Sequence, residues 1–196
     1  MKDAIIKALN SVEASCVKNE IAYLALTSKI EHPFRDRLAY ALHLQLGEQY
    51  IVSREWKRAD LAILQDRIPI ALIELKAMYT FDAIIDFDHY SCQIEADFTK
   101  MNGLAASAQH YCILLATHPK KRIEPYLFGV AKYNAGINRS IKIESEEQIK
   151  QKANQNVFNK FGENTIIARG SITGGSSFGI ETDVVYWLIG EDNSIR

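Results

Sequence analysis

Residues 54–78 constrain this chain of 196 residues more than any other stretch. An apolar run over 61–64 is followed by the polar Gln65, Asp66 and Arg67, and then by a second apolar run over 68–75. Short apolar runs separated by a few polar residues predict two strands joined by a tight hairpin. Ile70, Ala71, Leu72, Ile73 and Leu75 predict that the second strand is buried on both faces. Glu74 and Lys76 interrupt that run near its end. Residues two apart in a strand point to one side, so these charges share a face. The hairpin also folds Asp60, at the entrance of the first strand, back toward Glu74.

Two carboxylates a few ångströms apart beside apolar sequence repel, and desolvation raises the cost. A divalent cation resolves the conflict, and hard oxygen ligands suit magnesium, whose shell a substrate phosphate can complete. Lys76 is then placed to orient or deprotonate a water, or to stabilise charge on a phosphorane. The Glu-x-Lys couplet alone has little specificity, since Glu55-Trp56-Lys57 is another example in this chain. The buried-strand context is what separates Glu74 and Lys76 from charges that guard a solvated strand edge.

With Asp60, Glu74 and Lys76 on a hairpin, the chain resembles the PD-(D/E)xK nuclease superfamily over roughly residues 31–117; Ala59 stands where the motif name has proline. The resemblance implies an α/β fold, a restriction-endonuclease-like three-layer sandwich with a mixed central sheet flanked by helices. It implies metal-dependent hydrolysis of DNA phosphodiesters leaving a 5′-phosphate. Asp60, Glu74 and the backbone carbonyl of Leu75 would hold Mg2+, with Mn2+ able to substitute, and Lys76 would position the attacking water. Relatives often carry an acid on the helix before the first strand. Asp36 is the first positional match and Glu31 the second; the competing reading of Asp36 is local pairing with Arg35, Arg37 or Tyr40. Glu55, just before the second strand, is a further acidic candidate. Lys100 matches a lysine in the following helix, which implies a supporting role behind the metal ligands; the plain reading is a weak helical pair with Asp97. Cutting both strands of a duplex would call for a homodimer. The alternative reading is a catalytically inactive nuclease-fold module that binds nucleic acid or a protein partner.

The length fits one domain, 1–196: a core at about 31–117, N-terminal helices over 2–27 and an α/β extension over 120–196. A net charge of −1 argues against nonspecific coating of DNA, which takes many cationic contacts. Local cations are still present. Arg54, Lys57 and Arg58 lie close to Asp60 in sequence, and Lys120, Lys121 and Arg122 form a basic turn after a predicted strand. Each group reads as phosphate contacts or as solvated charge. Trp56 reads as a base-stacking platform or as the closure of the core edge. No apolar run approaches the length of a membrane span. Cys16, Cys92 and Cys112 match no zinc spacing and predict reduced thiols in a cytoplasmic protein.

Apolar spacing predicts helices over 2–18 and 20–27, the second capped by Asn19, and a third opened by Pro33 and ended by Gly47. A strand over 49–55 precedes the hairpin. Residues 79–90 read as a loop or short helix rimming the site; Asp82, Asp86 and Asp88 lack the glycine and terminal glutamate of a calcium loop. A helix over 91–107 and a buried strand over 110–116 follow. Further on, 126–132 reads as a strand or short helix, 141–144 as an edge strand, and 146–160 as a helix capped by Ser145. Strands over 165–169 and 183–189 flank the glycine-rich 170–179, which reads as a flexible or DNA-facing loop.

Overall fold

A computed structural model describes residues 1–190. Three helices open the chain: α1 (Lys2–Ser15), α2 (Glu20–Thr27) and α3 (Glu31–Leu46). Strands β1 (Tyr50–Trp56), β2 (Ala59–Gln65) and β3 (Ile68–Tyr79) follow, then α4 (Asp82–Ile85), α5 (Phe87–Leu104) and β4 (Gln109–Pro119). A 3-10 turn over Pro125–Leu127 leads to α6 (Asn134–Ile143), α7 (Glu146–Phe161), β5 (Ile166–Ser177) and β6 (Ile180–Gly190). The strands form one mixed sheet in the order β1-β2-β3-β4-β6-β5. Only β3 and β4 pair in parallel; the other neighbours are antiparallel. The chain is therefore an α/β protein with helices on both faces of a six-stranded sheet.

The strand period of two divides the core. Ala71, Ile73, Leu75 and Ala77 of β3 pack with Ile5, Leu9, Phe34, Leu38 and Leu42 of α1 and α3. Met78 of the opposite register packs with Phe87, Tyr90 and Ile94 of α5, and with Ala153 and Val157 of α7. The hairpin turns on Asp66 and Arg67, both left-handed at φ 50° and 65°, as a two-residue turn between right-twisted strands requires. Among the described residues, no helix is long and apolar enough to cross a membrane.

Some elements differ from the sequence expectation. Residues 141–144 are not an edge strand: Ile137 and Ile141 lie four apart, the spacing of a helix face, and both join the cluster around Tyr79, Phe81 and Leu127. The first helix stops at Ser15, and α5 begins at Phe87 because Phe87 and Tyr90 extend its buried stripe backward. The glycine-rich 170–179 is mostly strand, not loop. Its glycines permit close approach. A Cβ on Gly174 would lie 2.5 Å from the Thr182 carbonyl oxygen and 3.2 Å from the Ala22 nitrogen of α2. Asn19, expected to cap α2 with its side chain, instead accepts a hydrogen bond from the Ser176 N–H at 3.0 Å.

Candidate active site

The site begins where two strands of unequal length part. β2 has 7 residues and β3 has 12, and their ladder ends at Leu61 opposite Ile73. Beyond that point β3 keeps β4 on one side only. The residues of this outer edge are buried, so their N–H groups need acceptors. Carboxylates supply them: Asp60 Oδ2 accepts from Leu75 N–H at 2.9 Å, Glu31 Oε2 from Ala77 N–H at 3.1 Å, and Asp82 Oδ2 from Tyr79 N–H at 2.8 Å. A residue's N–H and C=O lie on the same side of a strand, so the Leu75 carbonyl also faces this edge.

Asp60 and Glu74 meet here. The Asp60 N–H points at Glu74 Oε1 at a long 3.4 Å. Glu74 is 2 % exposed, and Lys76 shares its face toward α5. That helix supplies a chain of alternating charge. Lys100 Nζ lies 2.7 Å from Glu74 Oε1 and 3.1 Å from Asp97 Oδ1, and Asp97 Oδ2 lies 2.6 Å from Lys76 Nζ. Lys100 thus pairs with Glu74 across the elements as well as with Asp97 on its own helix.

Burial pushes the Glu74 carboxyl up to about 7; Lys100 opposes the shift, while the Asp60 and Asp97 charges add to it. Burial alone would lower the Lys76 pKa, but the hydrogen bond and charge of Asp97, with Glu31 and Glu74, outweigh it and raise it. Lys76 therefore stays protonated at neutral pH. It can orient a water or stabilise developing negative charge, and it is poorly suited to deprotonate that water.

The two helix acids occupy different places. Glu31 reaches the strand edge. Asp36 pairs with Arg35 at 3.0 Å and with Arg54 at 2.9 Å. Burial would raise the Asp36 pKa, but hydrogen bonds from Arg54 and Arg35 hold it below its usual value. Arg35, itself buried, also reaches Glu55 at 2.8 Å and Asp60 Oδ1 at 3.9 Å, so Glu55 joins the acids around Arg35. Among the described residues, no three His, Cys, Asp or Glu side chains gather closely enough to hold a metal ion. Of the acids on this edge, Asp60 is the one whose main chain meets the Glu74 carboxylate, and its charge acts on Glu74.

The basic residues lie in two places. Arg54, Lys57 and Arg58 are exposed around the β1–β2 turn, with Lys57 Nζ 4.7 Å from the Trp56 ring centre. Lys120 is tied to Asp183 at 3.2 Å and lies 3.7 Å from Glu181, while Lys121 and Arg122 are exposed. Two contributors carry little sequence signal. Arg35 follows Phe34 in a mixed helix, and Asp97 betrays only its helical spacing to Lys100. No family model, no curated protein and no solved structure matches this chain.

The raised Glu74 pKa predicts a pH signature of the metal-free fold. A carboxyl ordinarily at 4.5 that sits at about 7 in the folded state binds more protons folded than unfolded between those values. Stability from this group is full below pH 4.5 and falls as pH rises through 7. His118 acts in the opposite sense. Burial and the Lys150 charge push it down to about 4, so its contribution is lost as pH falls from 6.5 toward that value. Comparing variant with wild type isolates Glu74. Melting temperatures in chelator should show Glu74→Gln gaining on wild type as pH rises from 5 to 8, by a few degrees. A difference that stays constant with pH would place the Glu74 titration elsewhere.

Proposed function

We propose that this chain is a metal-dependent DNA endonuclease with a restriction-endonuclease-like fold, hydrolysing phosphodiester bonds through Asp60, Glu74 and Lys76. The observation that carries the reading is the parting of β2 from β3, which exposes Asp60, Glu74 and the Leu75 edge to one another beside Lys76. The donor set suits Mg2+ or Mn2+: two carboxylates and a backbone carbonyl are hard oxygen ligands, and magnesium uses few protein ligands while keeping several waters. Burial first, and the Asp60 and Asp97 charges after it, raise the Glu74 pKa, and a bound cation would relieve both by stabilising the ionised carboxylate. When bound, the metal would supply Lewis-acid activation of water and phosphate.

The chain's own residues do the rest. Asp97 fixes the Lys76 ammonium at 2.6 Å, on the face it shares with Glu74. From there the ammonium can hold a water or meet the charge that grows on phosphate oxygens. Glu31 anchors the strand segment just beyond Lys76. Exposed Arg54, Lys57 and Arg58 offer phosphate contacts at the β1–β2 turn; Lys121 and Arg122 offer more past β4. A homodimer would serve if both strands of a duplex are cut.

The second reading is a nuclease-fold module without catalysis, binding nucleic acid or a protein. On its side stands the pairing already present: Lys100 on Glu74, and Arg35 near Asp60. Plasmid, linear and branched DNA incubated with the protein and magnesium separate the two. The nuclease reading expects cleavage products bearing 5′-phosphates in magnesium and none in chelator. No cleavage of any substrate in magnesium or manganese leaves the second reading.

A further inference from the structure

The lysine on α5 does more than lie near the motif: it touches a carboxylate proposed to hold the metal. Lys100 Nζ is 2.7 Å from Glu74 Oε1. Glu74 is 2 % exposed and cannot swing into water to meet a cation elsewhere. Any ion that reaches this carboxylate must therefore be accommodated where it stands, beside the ammonium. Like charges at such separations repel strongly in a partly desolvated site.

Lys100 has somewhere else to go. Its ammonium already lies 3.1 Å from Asp97 Oδ1, one turn back on the same helix. A flexible four-carbon stem lets it lean fully on that acid without being left uncompensated. Its side chain is 28 % exposed, so water can also follow it. Asp60 lacks so tight a lock, since its nearest cation, Arg35, is 3.9 Å away. The resistance to cation entry is thus concentrated on Glu74.

We propose that Lys100 is a built-in counter-ion of Glu74 that an entering divalent cation displaces onto Asp97, so that Lys100 sets the metal affinity of the site. The proposal rests on the metal-dependent reading above and deepens it. Lys100 acts through Glu74, which makes it a positioning residue and not a catalytic one.

The test is binding, with no cleavage step. Manganese chloride is titrated calorimetrically into wild type, Lys100→Met and Lys100→Arg at pH 8.5, where a proton competes little for Glu74. Lys100→Met should bind Mn2+ about tenfold more tightly than wild type, equivalent to about 1.4 kcal/mol. Lys100→Arg keeps the charge and should stay within about twofold of wild type. Lys100→Gln, which retains a polar head for Asp97, replaces Lys100→Met if circular dichroism shows that variant unfolded. If wild type binds Mn2+ and the neutral variant binds equally or more weakly, the counter-ion role falls and the metal site stands. If neither wild type nor variant binds Mn2+, the metal-dependent reading falls and takes this proposal with it.

Discussion

Lys76→Ala should lower magnesium-dependent cleavage on the order of a hundred- to a thousandfold while divalent-ion binding persists. The magnitude is that of removing one preorganised donor to charge that develops in a transition state. The separation of effects follows from the site. Lys76 is not among the proposed metal donors; its ammonium is held by Asp97 of α5, whereas Asp60 is tied to the Leu75 amide. Its removal leaves Asp97 still paired with Lys100 at 3.1 Å, so the local charge remains compensated and the fold should hold. Single-turnover cleavage of the best substrate, with Mn2+ calorimetry on the same preparations, reads both effects. Cleavage that survives the substitution unchanged would end the catalytic assignment.

The largest stability effect should come from Trp187→Ala, a loss of about 3–5 kcal/mol. Trp187 is 1 % exposed on β6 and belongs to the cluster formed with Met78, Leu114, Ile94 and Val157, between the sheet and the α5–α7 layer. Its indole N–H also donates to Asn154 Oδ1 at 3.0 Å. Truncation therefore opens a large cavity and leaves an acceptor without its donor. Trp187→Phe keeps most of the volume and loses only the hydrogen bond and part of the ring, so its cost should be about 1–3 kcal/mol. Denaturant melts of both variants test the ordering. Near-equal losses would show that the hydrogen bond, and not the filled volume, dominates at this position.

The first half of the chain is legible in its sequence because its signals are local. The hairpin lies between two apolar runs with a polar turn, and alternation alone puts Glu74 and Lys76 on one face. The parallel partner of β3 is legible too, as a continuous apolar run at 110–116 after a helix. What escapes is set by tertiary contact. Whether Glu31 or Asp36 reaches the sheet depends on where Arg35 and Arg54 lie, and those arginines capture Asp36. The grip of Asp97 on Lys76 spans two elements and leaves no spacing to read. In the second half, glycine content suggests a loop over 170–179. Three of those glycines are in fact demanded by close approach: Gly170 lies against Tyr186 of β6, and Gly174 and Gly175 against Ala22 and Asn19 at the start of α2, reasons that appear only once those elements are in place. The short alternating stretch 141–144, Ile-Lys-Ile-Glu, reads as a strand until Ile137, four residues before Ile141, is seen to be buried on the same helix.

One consequence of the split sheet concerns how the site should be probed. Asp60 is at once a proposed ligand and the stopper that closes an open seam in the backbone, because one of its oxygens is all that the Leu75 amide has on that side. An alanine there would strip a buried amide of its acceptor, at a cost of about 1–3 kcal/mol. A dead Asp60 variant would therefore report on scaffold and chemistry together. Lys76, whose ammonium pairs with the Asp97 side chain and satisfies no main-chain amide, offers the cleaner incision.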